Sequence, residues 1–169
     1  MRSFFFLILR QTFCLMKETT RIRKLFEDLY AGDPWLDVTI VGTLAELSAA
    51  QAANKPDPNW NSIWEITNHL ISWRENVLER VNGKAIKTPE NNYFNYVIDT
   101  SDIAWQLTLK RLHDSQEAWL AFLKDMPGES LEKIYLANEH TYADHIHGII
   151  QHDAYHLGQI VMLAKHVLK

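Results

Sequence analysis

His152 and His156 stand four residues apart in the stretch HDAYHLGQI of a 169-residue chain. On an α-helix each residue advances about 100° and rises about 1.5 Å, so the two imidazoles lie about 40° apart, one turn along the axis. From there both can reach one ion. The same spacing pairs the histidines of zinc-protease helices, although the glutamate after the first of them is replaced here by Asp153. Asp153 points about 100° away from His152 and is a poor copy of that base. Ile149, Ile150, Leu157, Ile160 and Leu163 make the surrounding segment apolar, which favours ligation over a solvated face. Buried imidazoles need partners for their ring nitrogens. The plainer alternative to a metal is that both histidines hydrogen-bond to carboxylates or carbonyls in the core.

One helix face cannot complete a metal's ligand set. His69 is the candidate third ligand, next to Leu70 and one turn before Trp73. Taken alone, such a histidine is commonly a hydrogen-bonded core residue. His145 competes, about 20° from His152, but it lies two turns away and is too distant along the axis to share the ion. His147 points roughly 140° away from His152. His113, His140 and His166 read as surface residues. Three neutral imidazoles suit zinc, nickel, iron or manganese, with zinc or nickel expected first. They leave positions open for water or substrate, as catalytic rather than structural sites do. Each ligand should donate its second ring N–H to an outer acceptor. Gln159, one turn beyond His156, and Glu65, one turn before His69, are candidates for that role or for the pocket wall. Both could equally be ordinary polar residues of a helical bundle.

The elements that must position these residues are helical. In residues 17–30, Ile22, Leu25, Phe26 and Leu29 repeat at i, i+3, i+4, i+7. Pro34 is expected at the first position of a second stretch reaching Leu47. Ser48 caps a short turn that ends before the connector Lys55-Pro56-Asp57-Pro58-Asn59. Residues 60–82 carry a nearly continuous apolar stripe, from Ile63 through Leu70 to Val81, and Gly83 stops it. Residues 84–99 read as a long loop with Tyr93, Phe94 and Tyr96, either a lid or pocket wall or a cover for one end of the core. Thr100 or Ser101 caps a helix to about Met126, ended by Pro127-Gly128. Thr141 opens a last helix of about 27 residues. The expected fold is all-α, a four-helix bundle in which unequal connectors leave simple up-down topology unassured.

Composition agrees. Nearly half of the chain is apolar, and six glycines and five prolines are few enough for long helices. A net charge of −4 without a basic run argues against a nucleic-acid surface. Cys14 is the single cysteine, so no intrachain disulfide framework exists, which fits a reducing compartment. Residues 1–15 form an atypical hydrophobic extension. Its apolar run Phe4–Leu9 is interrupted by Arg10, too short to span a bilayer and lacking a small-residue cleavage site. The expectation is an upstream extension before a domain at 16–169, with no stable membrane association. The alternative is a short export or surface anchor.

NWNSIWEITNHLISW (60–74) and HDAYHLGQI (152–160) resemble the DinB superfamily of YfiT-like four-helix bundles. The marks are a histidine after an apolar tryptophan-led run, here Trp64 to His69-Leu70, and a late H-x-x-x-H-x-x-Q, here His152, His156 and Gln159. The resemblance implies a bundle, often a homodimer, that holds a divalent metal through His69, His152 and His156. It implies a cytoplasmic protein acting on a small molecule. Some relatives are thiol-dependent transferases, joining low-molecular-weight thiols to electrophiles. Metal-dependent hydrolysis and a non-catalytic dimeric stress or binding protein are the alternatives.

Overall fold

The computed structural model describes residues 17–168; the hydrophobic extension 1–15 and Cys14 lie outside them. Four long helices make the bundle: α1 (Glu18–Ala31), α4 (Ile63–Val81), α5 (Asp102–Asp125) and α6 (Tyr142–Val167). Two short helices, α2 (Ile40–Leu44) and α3 (Ala49–Ala53), lie between α1 and α4. A 3-10 turn at Gly128–Glu132 and an isolated bridge between Ile134 and Thr141 lead into α6.

The helix starts are written in short polar side chains. Ser48, Ser62 and Thr141 each form a capping box with the residue three positions on: Gln51, Glu65 and Asp144. Ser101 caps α5 by accepting from the Ala104 N–H. Each such cap satisfies amide donors that the first turn leaves free and stabilises the helix by about 1 kcal/mol. The expectation for Pro34 is corrected. Its carbonyl accepts from the Asp37 N–H in a turn, and Asp37 takes a left-handed φ of 59° that a helix does not allow. Helix therefore resumes only at Ile40, behind the Thr39 cap.

α4 lies between α5 and α6, and α1 closes the ring against α5 and α6. α4 and α6 run antiparallel: His69 meets His156, and Arg74 meets Asp153. α4 and α5 run parallel: Trp64 bonds Thr108, and further along Arg74 bonds Gln116. Parallel neighbours need a connection that returns the length of a helix, about 28 Å for the 19 residues of α4. Residues 82–101 make that return, which carries them over the histidine face of α4.

Packing fills the bundle from both ends. One core cluster gathers Trp64, Leu70, Trp105 and Ile160; the other gathers Phe26, Val77, Trp119 and Ile146. The three buried indoles each donate: Trp64 to Thr108, Trp105 to the Leu47 carbonyl, Trp119 to the Arg74 carbonyl. These bonds remove the cost of burying an N–H without a partner. Among the described residues no helix is long and apolar enough to cross a membrane.

Candidate metal centre

α4 supplies His69 and α6 supplies His152 and His156. Each of the three offers one ligand atom, and these atoms all lie within 4.8 Å of one another. His69 Nε2 faces His152 Nε2 at 3.0 Å. The antiparallel pairing of α4 and α6 brings the single histidine opposite the pair, and the 40° offset on α6 turns both of its rings to the same side.

The outer hydrogen bonds fix which nitrogens face inward. His69 Nδ1 lies 2.8 Å from the Asn92 carbonyl, an acceptor, so Nδ1 carries the proton and Nε2 keeps its lone pair. His156 Nδ1 lies 2.7 Å from Gln159 Oε1, an acceptor when the Gln159 amide donates to the Tyr155 hydroxyl at 3.0 Å, and His156 Nε2 is freed in the same way. His152 differs. Its Nδ1 is buried without a hydrogen-bond partner among the described residues. Asp153 Oδ1, which also lacks a partner, lies 3.9 Å from it.

Burial disfavours the charged form of His69 and His156. His69 is 1 % exposed, and burial followed by the nearby His156 and His152 lowers its pKa to about 4. Burial and the His152 charge lower that of His156 as well. Neutral imidazole is the form that ligates a metal. The three rings converge, and His69 and His156 hold their protons outward and are kept toward the neutral form, so the donor set fits a divalent ion with nitrogen preference.

The returning connector builds the outer wall. Asn92 and Tyr93 both have left-handed φ, 52° and 63°. Asparagine tolerates that region, whereas tyrosine there costs about 1–2 kcal/mol. The turn is held by its contacts with α4: Trp73 Nε1 donates to Asn92 Oδ1, and Asn76 Nδ2 donates to the Tyr93 hydroxyl. Phe94 then stacks on His69, ring centroids 3.9 Å apart and planes within 9°. Both readings of the aromatic loop hold: Phe94 walls the histidines, and Phe94 and Val97 pack against the core.

Residues 39–160 match the family model described as the DinB superfamily. The chain belongs to that superfamily. This DinB-superfamily chain also has the fold of a conserved protein from Enterococcus faecalis known from a crystal structure. The two are 18% identical with a TM-score of 0.60 over 89% of this chain and 92% of the other. No curated protein matches it.

The remaining candidates separate cleanly. Gln159 is the outer partner of His156. Glu65 is not at the site: its carboxylate accepts from the Ser62 N–H and pairs with Lys55 at 2.8 Å. Asp153 turns into the core, fully buried, and pairs with Arg74 at 2.8 Å. His145 lies away from the cluster, Nε2 3.3 Å from Asn138 Oδ1. His147 is partly buried outside the cluster, and His113, His140 and His166 are exposed. Asn92, Phe94 and Tyr155 are site residues that the spacing of histidines does not reveal. The aromatic loop already pointed to Phe94, and the Asn91-Asn92 pair was the local signal for the turn, since asparagine favours left-handed turns.

Proposed function

We propose that this protein is a divalent-metal-dependent enzyme that transfers a low-molecular-weight thiol to a small electrophile. The observation that carries the metal half is the convergence of His69, His152 and His156, with Nδ1 of His69 and of His156 each held by an acceptor. The thiol half rests on membership of the DinB superfamily. Homodimerisation and a cytoplasmic location belong to the same reading and rest on the family alone.

A bound divalent ion supplies Lewis acidity that lowers the pKa of a thiol or water beside it. The chain's own residues prepare the place. Asn92 and Gln159 hold two ligand rings in their metal-ready tautomers, and Phe94 covers one face of His69 against water. In the transfer, the thiol sulfur forms a bond to the electrophilic carbon. The leaving group departs with its bonding electron pair, and the thiol proton passes to solvent. Hydrolysis would ordinarily recruit a carboxylate base. The two nearest in sequence, Asp153 and Glu65, are committed to Arg74 and to the start of α4. This favours thiol transfer over hydrolysis.

The test is mass spectrometry of a metal-loaded protein mixed with a thiol and a model electrophile. Adduct above the His156→Ala background is expected. Turnover of the electrophile without thiol would replace transfer by hydrolysis. Sub-stoichiometric metal in tag-free protein, under several metal supplements, would remove the metal reading altogether.

A further inference from the structure

Between α4 and α6, on the side of His152 toward the start of α6, lies a cavity of about 250 Å³. Trp73 and Arg80 of α4 line it, with His140, Asp144, His145 and His152 from the other side. Arg80 is held in place. Its Nη2 donates to Thr88 Oγ1 at 2.9 Å, and its guanidinium carbon lies 5.4 Å from the Trp73 ring centre and 5.7 Å from that of Tyr135. Aromatic faces attract a cation, but they do not neutralise it.

Among the described residues no carboxylate pairs with Arg80, and its Nε is buried without an acceptor. The neighbouring acids are engaged: Glu79 pairs with Lys84, and Asp144 accepts from both the N–H and the hydroxyl of Thr141. Burial first and the Arg80 charge second hold the His145 imidazole below its ordinary pKa, so the arginine's charge reaches across the cavity. A guanidinium fixed in this way, beside a void and short of acceptors, is suited to a carboxylate. One cation with Asp144 nearby balances a singly charged anion better than a doubly charged one.

The level of Arg80 and His145 is seven residues from His152 along α6, about 10 Å. Trp73, Val77 and Ile149 give the path between them an apolar wall. We propose that Arg80 binds the carboxylate of an elongated anionic small molecule whose apolar stem runs along Trp73 toward the three histidines. The carboxylate site stands on the cavity and Arg80. That the far end of the molecule is the reacting thiol or electrophile rests on the proposed function.

The test uses the full chain labelled with nitrogen-15 and two probes of equal length, heptanoate and 1-heptanol. The readout is the side-chain Nε–H resonance of Arg80, assigned by its loss in Arg80→Gln. Heptanoate should shift it saturably and bind at least about tenfold more tightly than heptanol. Resonances of the Trp73 indole and of neighbouring amides should report that affinity falling about tenfold in Arg80→Gln and partly recovering in Arg80→Lys. Equal affinity for the two probes in the unmodified protein overturns the proposal without needing any variant. So does equal heptanoate affinity in the unmodified and Arg80→Gln proteins. Neither readout requires thiol transfer, so a failure of that reaction and a failure of this site are told apart.

Discussion

The imidazole of His69 donates from Nδ1 to the main-chain carbonyl of Asn92 at 2.8 Å, joining a helix residue to the crest of a returning connector. Phe94 stacks on the same ring, so the connector holds His69 at two points. The carbonyl is delivered by two consecutive left-handed residues, and Trp73 and Asn76 hold that turn from below. Strain of this kind persists only where surrounding contacts over-determine it. The wall of the site is thus fastened to His69.

Phe94→Ala should release that fastening. Loss of the stack and of part of the burial is expected to lower stability by about 1–2 kcal/mol. Hydrogen exchange followed by mass spectrometry should find residues 91–94 exchanging faster, with α5 and the far end of the bundle unchanged. Unaltered protection of 91–94 would mean that the turn is held without Phe94.

Gln159→Leu removes the acceptor that orients His156 while leaving all three ligands. Outer partners of this kind affect metal affinity by about 10–100-fold. Titration against a chromogenic chelator should give a loss in that range, and Gln159→Glu, which keeps an acceptor, should recover most of it. Thermal unfolding of the metal-free variant should stay close to that of the parent protein, since Gln159 is only partly buried.

The three-histidine cluster was legible because it is encoded in residue types at helical spacing. His152 and His156 share a face by arithmetic, and His69 sits on the apolar stripe that must turn inward. Asn92 was not legible as a partner, because it acts through a main-chain carbonyl that every residue possesses. Glu65 was left open between an outer partner and an ordinary polar residue, and the second holds. One turn from His69 it had the spacing of an outer partner, yet Ser62-x-x-Glu65 is also a capping-box pattern, and the helix start claimed the carboxylate. The cap at Ser101 and the four long helices follow directly from turn chemistry and periodicity. The parallel run of α4 and α5 does not, since it depends on which faces pair across the whole bundle. That pairing also decides where the 82–101 connector passes, and with it the wall of the site.

Arg74 and Asp153 form an ion pair with both side chains essentially inaccessible, and Gln116 Oε1 accepts a second bond from the guanidinium at 3.0 Å. Removing one partner strands a buried charge, so Arg74→Met should cost about 3–5 kcal/mol in urea denaturation. The double variant Arg74→Met with Asp153→Leu should be markedly more stable than Arg74→Met alone. Losses that add, with Asp153→Leu measured alone as the third corner of the cycle, would mean that the two charges are not coupled.

The metal-free protein should lose stability on mild acidification, and the sign follows from His69. Its pKa is about 4 in the folded state against an ordinary 6.5, because burial and the two neighbouring histidines oppose the charge. Between these values the unfolded chain takes up a proton that the folded chain refuses, so stability rises with pH across that window. It is fully retained above about pH 6.5 and declines as the pH falls toward 4. His156, lowered mainly by burial, adds in the same direction. Urea midpoints measured from pH 7 to pH 4.5 should therefore fall, and His69→Phe should flatten the slope while filling a similar volume. Carboxylates such as Asp144, whose pKa is lowered by its bonds to Thr141, lose their contribution at lower pH and are common to both proteins. An equal slope in the two would place the acid sensitivity outside the histidine cluster.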